Sequence, residues 1–62
     1  MDAFGAHEVL DRIFVSLEHF QEFVVSHALV ESLDDDDQVK VAVLAAEKAL
    51  AEAYQAAGAA YL

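Results

Sequence analysis

Residues 31–40 read ESLDDDDQVK, with four consecutive aspartates at Asp34, Asp35, Asp36 and Asp37. Such a run has three meanings to weigh: a metal site, an acidic docking patch, or the boundary between two helices. A calcium loop of the EF-hand kind needs alternating ligands, a glycine at its sharp turn and a bidentate glutamate at its twelfth place. The segment DDDDQVKVAVLA has consecutive aspartates, no glycine and no glutamate at that place. Adjacent aspartates in a turn also point in different directions and so make no cage. Helix punctuation accounts for the run better. One aspartate caps the second helix, and the others set negative charge at the positive end of its dipole. The same acids oppose the C-terminal dipole of the preceding helix and help to end it. Ser32, with Asp35 three residues on, offers an alternative cap in a weak capping-box spacing.

On the N-terminal side of the run, apolar residues recur at helical spacing. Ala6, Leu10, Ile13, Leu17, Phe20 and Val24 step by 4, 3, 4, 3, 4, which is a heptad seam. Val9, Phe14, Phe23, Val25 and Ala28 flank it, while Glu8, Asp11, Arg12, Ser16, Glu18, His19, Glu22 and Ser26 take the opposite face. The apolar arc spans roughly 200°, against the ~100° stripe that suffices for a helix facing one neighbour. This helix is built to touch more than one other. The segments IFV and FVV could suggest strands, but the polar residues recur near every 3.6 positions instead of alternating. Asp2 is placed to cap the start, and Gly5 weakens the first turn.

On the C-terminal side a second seam reads Val39, Val43, Ala46, Leu50, Ala53, Ala57 and Ala60. Alanine, the best helix former, dominates this stretch. Ala42, Ala45, Ala49, Ala53, Ala56 and Ala60 add a smooth side that another helix can approach closely. Val41 and Leu44 lie off the seam, and Lys48 and Glu52 are spaced as a surface pair. Gly58 weakens the last turn, although Tyr61 keeps the period of Tyr54.

The spacing therefore predicts an all-α chain: a helix over about 2–33, a turn over about 34–36 and a helix over about 37–61. Joined by so short a connection, the helices form an antiparallel two-helix hairpin. Its expected core and interface residues are Leu10, Ile13, Phe14, Leu17, Phe20 and Val24 on the first helix. On the second they are Val39, Val43, Ala46, Leu50, Ala53, Tyr54 and Ala57. The expected capping residues are Asp2, Ser32, Asp34, Asp35, Asp36 and Asp37.

A chain of 62 residues is marginal as a lone core, and small scaffolds add disulfides, a metal or a partner. The absence of cysteine removes the disulfides and any thiolate site. At 58% hydrophobic residues, a two-helix unit cannot hide its apolar surface by itself. The expectation is a homodimer in which two hairpins close into a four-helix bundle.

The net charge of −9, from 12 acids and 3 bases, excludes direct phosphate-backbone binding and docking to an anionic membrane. No apolar run reaches the roughly 18 residues of a membrane span. The start MDAFGAHEVLDR lacks the positive region of a signal peptide, so a cytoplasmic location is the default expectation.

Catalytic signals are missing. Ser16, Ser26 and Ser32 sit in no strand–turn–helix elbow, and there is no glycine-rich phosphate loop. His7 and Asp11, continued by Glu18 and Glu22, form a stripe that could meet a metal only across two chains. The Glu-x-x-His pair of di-iron bundles is absent. No cofactor and no metal are expected, and His27 reads as a boundary histidine bonded locally. The functional expectation is a small non-enzymatic protein–protein interaction or assembly module. The alternative is an acidic regulatory protein, an inhibitor, antitoxin-like factor or nucleic-acid mimic, that binds a basic partner protein.

Overall fold

The computed structural model describes residues 3–61. Every regular element among them is helical and none is a strand. Helix α1 spans Ala3–Phe20, a π-helical segment follows at Gln21–Val25, a single turn α2 covers Ala28–Glu31, and α3 spans Gln38–Tyr61. The expected cap at Asp2 lies outside the described residues.

The helix expected over about 2–33 is interrupted. After Phe20 the backbone widens: the Ser26 amide donates to the Gln21 carbonyl at 3.0 Å, a five-residue step. The Ser26 hydroxyl donates to the Glu22 carbonyl, taking up a backbone acceptor, as serine in a helix tends to do. Val24 and Val25, both β-branched, add little helical preference to resist the change. The extra residue per turn brings Val25 as well as Val24 to a half-buried position. His27 is extended, with φ −64° and ψ 136°, and its Nδ1 accepts the Leu29 amide at 3.1 Å. A histidine thus caps α2, in a role better known for serine or aspartate.

The second helix begins at Gln38, one residue later than its expected start, and runs to Tyr61 without a break at Gly58. Asp37 is its cap: Oδ1 accepts the Val39 amide at 2.8 Å and the main-chain carbonyl accepts the Val41 amide at 2.9 Å. The Asp37 amide in turn donates to the Asp34 carbonyl at 3.0 Å, closing a turn over the aspartates.

Helices α1 and α3 make the main tertiary contact. Leu10 lies beside Gly58, the rings of Phe14 and Tyr54 meet, and Phe20 and Val24 share a groove with Val39, Val43 and Ala46. Residue numbers therefore rise along α1 as they fall along α3. Only Ala6, Leu10 and Ala57 are buried among the described residues, at 1%, 7% and 9% exposure. All three sit where the start of α1 meets the end of α3, and small side chains there let the backbones come close.

The inward seam of α3 is not a strict heptad. Ala53, expected on it, is exposed, while Tyr54, also expected in the core, turns toward α1. At 100° per residue, Tyr54 lies about 20° round a straight helix from the half-buried Val43, and Ala53 about 80° from it. The resulting body is thin, 43 × 17 × 10 Å, with a radius of gyration of 14.0 Å. A compact chain of 62 residues would have about 10.6 Å.

Candidate interaction surface

Toward the loop end, α1 and α3 do not close on each other. An apolar groove of about 370 Å³ opens between Phe20 and Val24 on one side and Val39, Ala42, Val43 and Ala46 on the other. Gln38 supplies its polar end. Val39, expected in the core, is 57% exposed, whereas Phe20, Val24, Val43 and Ala46 are half-buried. Of the remaining expected core positions, Ile13, Leu17 and Leu50 are also half-buried, and Phe14 and Tyr54 keep part of their rings in water. Phe23 and Leu29, at 63% and 65% exposure, add further apolar surface near the break.

From the groove, the same side of α3 continues by helical steps of 3 and 4 through Ala49, Ala53, Ala56 and Ala60, all exposed. The nearest charge to that line, Glu52, borders it, about 60° round the helix from Ala49 and about 40° from Ala56, with the Lys48 ammonium 3.9 Å away. Another side of the pair differs in chemistry. A depression of about 300 Å³ there is lined by His7, Leu10, Asp11, Phe14 and Tyr54. The Phe14 and Tyr54 rings that floor it have centroids 5.9 Å apart.

The acidic stripe expected on α1 is split. His7 and Asp11 border the Phe14–Tyr54 depression, while Glu18 and Glu22 line another with His19 and Gln21. No group of three or more His, Asp or Glu side chains among the described residues could hold a metal ion.

Each cation has an acidic neighbour. Arg12 meets Glu8 at 2.8 Å, Lys48 faces Glu52, and Lys40 reaches Asp35 at 3.6 Å while donating to the Leu33 carbonyl at 3.2 Å. The Lys40 contact was not foreseen from spacing. The available signal was that Lys40 is the only cation close in sequence to the aspartate run. Ser32, expected as an alternative cap for α3, sits at the end of α2, and its hydroxyl donates back to the Leu29 carbonyl at 2.6 Å. Asp34, Asp35 and Asp36 are exposed on the connection, and of the four aspartates Asp37 supplies the side-chain cap.

No helix among the described residues is long and apolar enough to cross a membrane. No protein family, curated protein or solved structure matches the chain. The functional reading therefore rests on the chain's own residues.

Proposed function

We propose that this chain is a small protein–protein interaction module that acts by binding and not by catalysis. In its working form the antiparallel helical hairpin self-associates, two copies closing into a four-helix bundle. The observation that carries the reading is the surface one chain leaves in water. Its accessible area is 4546 Å², against about 3,900 Å² for a compact monomer of 6.7 kDa. Apolar side chains are part of that surface: Phe23, Leu29, Val39 and Val41 are each more than half exposed. A core of three buried residues among those described, two of them alanines, supplies little of the burial that stabilises a domain. Covering the exposed apolar faces with a partner supplies the rest.

Sedimentation equilibrium from about 1 to 100 µM is the test, with far-UV circular dichroism on the same samples. The expected outcome is a reversible dimer whose helicity falls on dilution. A fully helical monomer across that range overturns the proposal. The second reading, an acidic regulator of a basic protein, is favoured by the exposed Asp34, Asp35 and Asp36 and by the acidic neighbour beside each cation. It predicts association with a basic partner that weakens steeply between 50 and 500 mM salt, whereas apolar self-association does not.

A further inference from the structure

The two long sides of the helix pair differ in charge, and that difference selects one as the contact between copies. A second copy carries the same net charge of −9, so any face that brings carboxylates together opposes pairing. The depression lined by His7, Leu10, Phe14 and Tyr54 has Asp11 in its wall. The groove lined by Phe20, Val24, Val39, Ala42, Val43 and Ala46 contains no charged residue. Its continuation along α3 is alanine as far as Ala60, with the nearest acid, Glu52, at the rim beside Lys48.

We infer that this uncharged groove face, from Phe20 and Val39 along α3 past Ala49 and Ala53, is where a second copy of the chain docks. The inference rests on the proposal that the chain self-associates and names the surface used. Shape agrees. Alanine side chains let a facing helix approach closely along the length of α3, while the groove near the loop admits larger side chains. The acids of α1 and of the aspartate connection then remain in solvent, where salt screens them.

The experiment compares Ala42→Arg and Ala49→Arg, on the proposed face, with Leu44→Arg, an exposed position elsewhere on α3. Each substitution adds the same positive charge and so relieves repulsion between copies equally. Weaker pairing must therefore come from the face itself. The expected result in sedimentation equilibrium is a dimer dissociation constant raised at least tenfold by Ala42→Arg and Ala49→Arg, and changed less than threefold by Leu44→Arg. The inverse pattern, or equal effects at all three positions, overturns the assignment while leaving self-association standing. A monomeric wild-type chain instead overturns the underlying proposal, and the assignment with it. A second measurement uses the unaltered protein, so that misfolding of a variant cannot mask the answer. In a mixture of isotope-labelled and unlabelled chains, intermolecular NOEs should arise from the Ala42, Ala49 and Ala53 methyl groups and the Phe20 ring. Such NOEs from His7 and Leu44 in their place overturn the inference.

Discussion

The Lys40 ammonium donates to the carbonyl oxygen of Leu33, 3.2 Å away and seven residues back, and lies 3.6 Å from a carboxylate oxygen of Asp35. One side chain on the first turn of α3 thereby holds the second residue after α2. The Lys40 side chain is 19% exposed, so the hydrogen bond is partly shielded, while Asp35 is fully in solvent. The carbonyl contact, not the ion pair, is the part that matters for stability.

Lys40→Met keeps the stem and removes the donor. It should lower stability by about 1 kcal/mol, read as a shift in the urea midpoint at fixed protein concentration. Asp35→Asn should change it by less than about 0.5 kcal/mol. If Asp35→Asn proves as costly as Lys40→Met, the ion pair dominates and this account of the loop is wrong.

The four aspartates should separate in the same assay. Asp37→Ala removes the acceptor for the Val39 amide and should cost about 1 kcal/mol. Asp34→Asn and Asp36→Asn leave that bond intact and should each move stability by less than about 0.5 kcal/mol. Changing all four to Asn should preserve most of the cap, because the asparagine side-chain oxygen still accepts. Equal losses at all four positions would instead point to summed charge.

Gly58→Ala should stabilise the protein. The added methyl would stand 3.9 Å from Leu10 Cδ2, an ordinary van der Waals contact. Alanine is also preferred over glycine inside a helix by about 1 kcal/mol. Thermal unfolding at matched concentrations should show a raised midpoint. A lowered midpoint would mean that α1 and α3 approach more closely at Gly58 than the Leu10 contact implies.

The rings of Phe14 and Tyr54 lie 5.9 Å apart and tilted by 51°, in the range of favourable aromatic pairs. A double-mutant cycle of Phe14→Leu and Tyr54→Leu should give a coupling of about 0.5–1.5 kcal/mol. Zero coupling would show that the two helices do not meet at these residues in solution.

Much of this architecture is legible in residue spacing. Apolar residues recurring at helical spacing mark both long elements as helical, and α3 begins at Gln38, one residue from its expected start. The interruption after Phe20 was not legible, because the apolar steps from Phe20 to Val24 fit an unbroken heptad. What ends the regular ladder is a Ser26 hydroxyl competing for the Glu22 carbonyl and a histidine serving as a cap. Neither event leaves a trace in hydrophobic periodicity. Tyr54 is expected in the core from the sequence, but so is Ala53, whose exposure was hidden for a different reason. A heptad template keeps Ala53 inward, whereas in a straight helix it lies about 80° from Val43.

Composition and period alone determined that the chain is helical, that it is rich in apolar groups, and that the aspartate run separates its two long helices. These follow from local chemistry: side-chain period, backbone capping and the count of apolar groups. Which aspartate caps, where the first helix breaks, and which side of the pair stays both apolar and uncharged were decided only in three dimensions. The cap and the break rest on local hydrogen bonds that spacing does not reveal, and the uncharged side depends on how α1 and α3 face each other, with Leu10 beside Gly58 and Phe14 against Tyr54.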